Sequence, residues 1–97
     1  MTVESKSEET LKALRLEIDH IDRQLFSLLA QRMEVVKEIA QIKCIQGLSI
    51  NDPVREALLK EKLKKFSADV LEPWHVEELT SVILRISRDI QSKESKD

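Results

Sequence analysis

LKALRLEIDHIDRQLFSLLAQRMEVVKEIAQIK, residues 11–43, is the stretch whose reading decides the fold. Leu11, Ile18, Leu25 and Ile39 recur at multiples of seven, and so do Leu14, Ile21, Leu28, Val35 and Ile42. The two series interleave with 3-4 spacing, uninterrupted by Pro or Gly, which predicts one long amphipathic helix. A single seam position breaks the pattern, because Arg32 stands where an apolar residue belongs. A guanidinium stays charged and is costly to bury without an anion. Arg32 must therefore either reach out to solvent or meet something negative inside.

At 1.5 Å per residue such a helix is about 50 Å long. A compact chain of this size has a radius of gyration of only about 12–13 Å. One chain cannot cover its own helix, so a second copy in a two-fold dimer is the expected cover.

The rest of the composition agrees with an all-α fold. The 97 residues suit one domain and include one Gly, two Pro and no Tyr; 41% are hydrophobic and 35% charged. Net charge is -2, with acids and bases intermixed, which gives no sign of a nucleic-acid or membrane surface. Neither an 18-residue apolar run nor a signal-peptide core is present, so a cytoplasmic protein is expected. The lone Cys44 excludes an intrachain disulfide and a cysteine-based metal cluster; it reads as a half-buried thiol at a helix end.

Outside the long helix, boundaries are marked by local chemistry. Residues 1–6 are polar and expected to fray, with Ser5 and Ser7 as candidate N-caps and Glu8 and Glu9 suited to a first turn. The first helix should end near Lys43 or Cys44, ahead of the turn Gln46-Gly47-Leu48-Ser49. Asp52 before Pro53 predicts a capped second helix carrying Val54, Leu58, Leu59, Leu63 and Phe66, ending near Ser67. Pro73 starts a third, with Val76, Leu79, Val82, Ile83, Ile86 and Ile90 on one face and fraying expected beyond Gln91. Trp74 reads as a packing anchor, and His20 and His75 as surface residues. The ordered core should run over about residues 8–92 of one domain.

Polar residues near these seams are the functional candidates. Lys43 lies eleven residues after Arg32, a net rotation of about 20°, so both share a face with Cα atoms about 16 Å apart. Two long cationic side chains so placed could hold a small dianion. Arg15 borders the same seam about 25 Å from Arg32, too far for one small ligand, so it could join that site only from another chain. Ser87 and Gln91 stand at i, i+4, and Asp52, Arg55 and Glu56 share one turn. No glycine-rich phosphate loop, Cys-His dyad or carboxylate pair with an obvious nucleophile is present. The set offers cations and hydrogen-bond donors, without covalent machinery.

Leu14-Arg15, Ile18-Asp19 with Asp22, Leu28-Leu29-Ala30-Gln31-Arg32, Ile42-Lys43, Ile50-Asn51-Asp52-Pro53 with Arg55-Glu56, then Ser87 and Gln91, together resemble the all-helical chorismate mutases. The resemblance covers about residues 8–92. It implies an intertwined homodimer of three-helix chains with two equivalent active sites, and rearrangement of chorismate to prephenate without cofactor or metal. By similarity, Arg32 and the partner chain's copy of Arg15 would clamp the two carboxylates. Lys43 would donate to the ether oxygen and a carboxylate, and Gln91 would be that oxygen's second donor. Asp52, Arg55 and Glu56 would hold the ring hydroxyl, and Ser87 the ring carboxylate. Two other readings stay open: an isochorismate pyruvate lyase on the same fold, and a non-catalytic helical dimerisation module.

Overall fold

A computed structural model describes residues 3–67 and 69–95 of the chain. They form three helices, α1 (Val3–Gln46), α2 (Pro53–Phe66) and α3 (Pro73–Glu94), with no strand among the described residues. The architecture divides within α1 into one unit up to Arg32 and a second from Met33 onward.

The first unit is helical throughout its described residues, and its seam is bare. Leu14 is 51% exposed and Ile21 53%, with Leu11, Ile18, Leu25 and Leu28 alike. The helix begins at Val3, so Ser5 and Ser7 lie inside it and are not its N-caps. Nothing between Val3 and Glu9 breaks a helix: there is no Pro or Gly, and Glu and Lys are good helix formers. Residues 1 and 2, part of the segment expected to fray, lie outside the described residues.

In the second unit α1 continues two to three residues past its expected end, to Gln46, and stops in a Schellman motif. Leu48 N donates to Lys43 O at 2.8 Å, and Gly47 N to Cys44 O at 3.3 Å. This closure needs a left-handed residue, supplied by Gly47 at φ 68°. The Cys44 thiol is exposed rather than half-buried: no neighbouring helix covers that position of the last turn among the described residues. α2 starts as expected, with Asp52 Oδ1 accepting from Arg55 N at 3.1 Å and Pro53 in the first turn. It ends at Phe66, which is 90% exposed.

α2 buries no residue fully, and ion pairs tie it to α3. Glu77 accepts from Lys60 at 2.9 Å and Lys64 at 3.2 Å. The bonds from Lys60 and Lys64 hold the Glu77 carboxyl below its ordinary value, and the bonds to Glu77 and Glu61 raise Lys64 above its own. α3 begins at Pro73, where a reciprocal cap forms: Glu72 N donates to His75 Nδ1 at 3.0 Å. His75 is therefore half-buried and has a structural task. Trp74 does not anchor packing within the chain; it is 62% exposed, with its ring beside that of His75.

The buried stripe of α3 differs from its apolar face. Val76, Thr80, Leu84, Ser87 and Gln91 are buried, whereas Leu79, Val82 and Ile86 are exposed. On α1 the buried positions are Val36 and Ala40, one turn apart. The unit thus has a small, partly polar core and leaves several large aliphatic side chains, Leu79 and Ile86 among them, outside.

Candidate active site

The Schellman closure places Lys43 on the last turn of α1 and folds the following loop back over it. The Lys43 ammonium donates to Ile50 O at 3.3 Å and to Gln91 Oε1 at 3.0 Å. An ammonium has three hydrogens, so one remains for an external acceptor. It has no acceptor of its own, which requires the oxygen of the Gln91 amide to face it. The Gln91 NH₂ group is therefore not spent on Lys43 and keeps both hydrogens to offer. Gln91 as a whole is only 7% exposed.

One turn earlier on α3, Ser87 is 4% exposed. Its hydroxyl reaches Ile83 O at 2.8 Å and lies 3.7 Å from Met33 Sδ. Bonding back to the carbonyl four residues earlier is the usual resting state of a helical serine. A single hydroxyl proton serves one acceptor at a time, so donation to a ligand requires the hydroxyl to rotate.

At the start of α2, Glu56 is half-buried and accepts from Arg88 Nη1 at 2.6 Å. Asp52 and Arg55 are exposed, the Asp52 carboxylate being engaged as the helix cap. Lys43 and Gln91 are thus joined directly, while Glu56 is joined to a residue outside the expected set. Arg88 was hidden in sequence because α3 carries several charges with no apolar spacing to mark this one. Its only signal was its place between Ser87 and Gln91. Arg15 and Arg32 belong to the first unit, where Arg15 is exposed and Arg32 half-buried.

The constellation in the second unit is chemically limited. It contains an ammonium with a spare hydrogen, an oriented amide donor, a serine hydroxyl and a carboxylate held by a guanidinium. Such groups can bind an anionic, hydroxylated ligand and stabilise negative charge on an oxygen.

Comparison with known proteins identifies the lineage. Residues 14–92 match the family model described as chorismate mutase type II. The chorismate mutase of Methanocaldococcus jannaschii is 39% identical over 57 residues, covering 59% of this chain and 58% of that protein. The T-protein of Enterobacter agglomerans is 38% identical over 78 residues, covering 79% of this chain and 21% of its own length. The bifunctional chorismate mutase/prephenate dehydratase of Aquifex aeolicus is 40% identical over 62 residues, 64% of this chain and 17% of that protein. The chain therefore spans less than two thirds of each of these relatives. With a family match running from the seam of α1 to the site residues of α3, this chain belongs to the type II chorismate mutase family.

Proposed function

We propose that this chain is a chorismate mutase, catalysing the rearrangement of chorismate to prephenate. The observation that carries the reading is the Lys43–Gln91 pair, two donors oriented by their own 3.0 Å hydrogen bond. The rearrangement is intramolecular: the ether C–O bond breaks as a C–C bond forms, and no atom is gained or lost. It needs no nucleophile and no general base. It does need the substrate held in its compact conformer, which replaces random encounter of the reacting ends by a fixed approach. Negative charge builds on the ether oxygen as its bond breaks. The spare hydrogen of Lys43 and the amide of Gln91 bind that oxygen more strongly in the transition state than in the substrate, which lowers the barrier.

The remaining roles follow the same logic. Arg32 and Arg15 suit the two carboxylates by forked guanidinium geometry, with Arg15 arriving from the second chain of a homodimer. The bare seam of α1 supports that dimer, since a copy of the same seam is a cover of matching period. Glu56 accepts the ring hydroxyl. Asp52 caps α2 and so sets the position of Glu56, with Arg55 beside it. Ser87 rotates its hydroxyl from Ile83 O to the ring carboxylate.

The test is to incubate the purified chain with chorismate and, separately, isochorismate, identifying products by mass and chromatography. Prephenate formed from chorismate supports the assignment. Pyruvate released from isochorismate with no prephenate from chorismate would make it a lyase. No turnover of either by a folded dimer would make it a dimerisation module.

A further inference from the structure

Arg88 takes no part in the roles assigned above, yet it makes a 2.6 Å charge-assisted bond to Glu56 across the α2–α3 junction. It follows Ser87 and precedes Gln91 by three residues, so α3 delivers it to the same end of the unit as the Lys43–Gln91 pair. The junction has a second attachment besides it. Lys60 and Lys64 hold Glu77 further along the same two helices. The side chains of Arg88 and Glu56 are 35% and 24% exposed, so the pair is reachable from solvent yet partly screened from it.

We propose that Arg88 is a positioning residue for ring-hydroxyl recognition: it holds the Glu56 carboxylate by Oε1 so that Oε2 accepts the hydroxyl of the substrate. The proposal rests on the chorismate mutase reading and on the hydroxyl role of Glu56. A glutamate has three rotatable side-chain bonds, and left alone near the surface it samples many rotamers. Arg88 anchors one carboxylate oxygen and so fixes the plane of the other. The ordering is done before substrate arrives, and binding of the hydroxyl gains accordingly. The ionised carboxylate retains lone pairs on both oxygens after the Arg88 bond, so the anchor does not consume the acceptor. A guanidinium suits the task better than an ammonium because its planar fork constrains direction as well as distance.

The experiment compares two oxabicyclic dicarboxylates shaped like the transition state, one bearing the ring hydroxyl and one lacking it, as inhibitors of chorismate turnover. The readout is the ratio of their inhibition constants. Loss of general packing or of carboxylate binding weakens both mimics together and leaves this ratio unmoved. The wild-type chain should favour the hydroxylated mimic by on the order of ten- to a hundredfold, as expected for one well-placed buried hydrogen bond. Arg88→Met should bring the ratio to within a few-fold of one while helicity stays at the wild-type level. Arg88→Lys, which keeps the charge and loses the fork, should fall between them and also serves if Arg88→Met does not fold. Glu56→Gln should lower the ratio as well, and adding Arg88→Met to it should lower it no further. An unchanged ratio in folded Arg88→Met or Arg88→Lys, or an equal loss for both mimics, overturns the role of Arg88 and leaves the function standing. A wild-type chain that neither converts chorismate nor binds either mimic overturns the function, and this proposal with it.

Discussion

The Lys43 ammonium lies 3.0 Å from Oε1 of Gln91, joining the last turn of α1 to the last two turns of α3. This bond assigns each partner its remaining donors before any ligand is present. A lysine without the glutamine would keep only its 3.3 Å bond to Ile50 O, and a glutamine without the lysine could present either face of its amide. Together they form a fixed pair of donors, the arrangement that a developing oxyanion rewards.

Removal of the ammonium should therefore be felt in turnover more than in folding. Lys43→Ala is expected to lose on the order of 10²-fold or more in kcat. Its circular dichroism and oligomeric state should match wild type, since Gln91 and Ile50 O can then turn to water. Near-wild-type kcat in a folded Lys43→Ala would remove Lys43 from the mechanism.

Gln91→Glu converts the donor to a carboxylate beside Lys43. Ionised, it accepts from the lysine and offers no hydrogen to an ether oxygen; protonated, it regains a donor. Activity should thus be low at neutral pH and rise as pH falls toward the ordinary glutamate range of about 4.3. A pH–kcat profile measures this, and a variant with a wild-type profile would mean that the amide does not donate.

The clasp between α2 and α3 has its own pH signature. Glu77 titrates below its ordinary 4.5, so its contribution is present above that value and fades as pH falls through the lowered one. Lys64 titrates above its ordinary 10.5, so its contribution is present below that value and fades as pH rises past it. Both are partly exposed, so the effect is modest and screened by salt. Glu77→Gln should lower Tm slightly at pH 7, and its difference from wild type should shrink as pH falls below the ordinary 4.5. A difference that does not change at any pH down to full protonation of the carboxylates would show that Glu77 acts through packing rather than charge.

How much of this was legible in sequence depended on whether a feature is local. Asp52-Pro53, Pro73 and Gly47 each act within a turn, so the ends they mark were readable to within a few residues. The α1 seam was readable because its period repeats many times. The N-terminal boundary was missed because Ser5 and Ser7 can cap a helix without being obliged to, and no residue before them stops it. For α3, periodicity revealed an apolar face containing Leu79, Val82 and Ile86 but could not say what covers it. Within the chain the buried side is instead the stripe through Thr80, Ser87 and Gln91. Gln91 was nonetheless named through the family pattern, and in the structure its Oε1 accepts from Lys43. The Glu56–Arg88 pair was invisible because it joins residues 32 positions apart, which no local spacing encodes.

The most direct test of the central claim, a chorismate site built from Lys43 of one chain and Arg15 of the other, is turnover by mixed dimers. Arg15→Ala and Lys43→Ala should each be nearly inactive as homodimers. Co-refolded in equal amounts with random two-fold pairing, half of the dimers should be mixed, and each mixed dimer should carry one intact site and one lacking both residues. The measurement is chorismate turnover per total site, alongside native mass spectrometry of the dimers. Recovery to about a quarter of wild type is expected. Mixed dimers that form and remain inactive would contradict it, returning Arg15 to its own chain's site or removing it from catalysis.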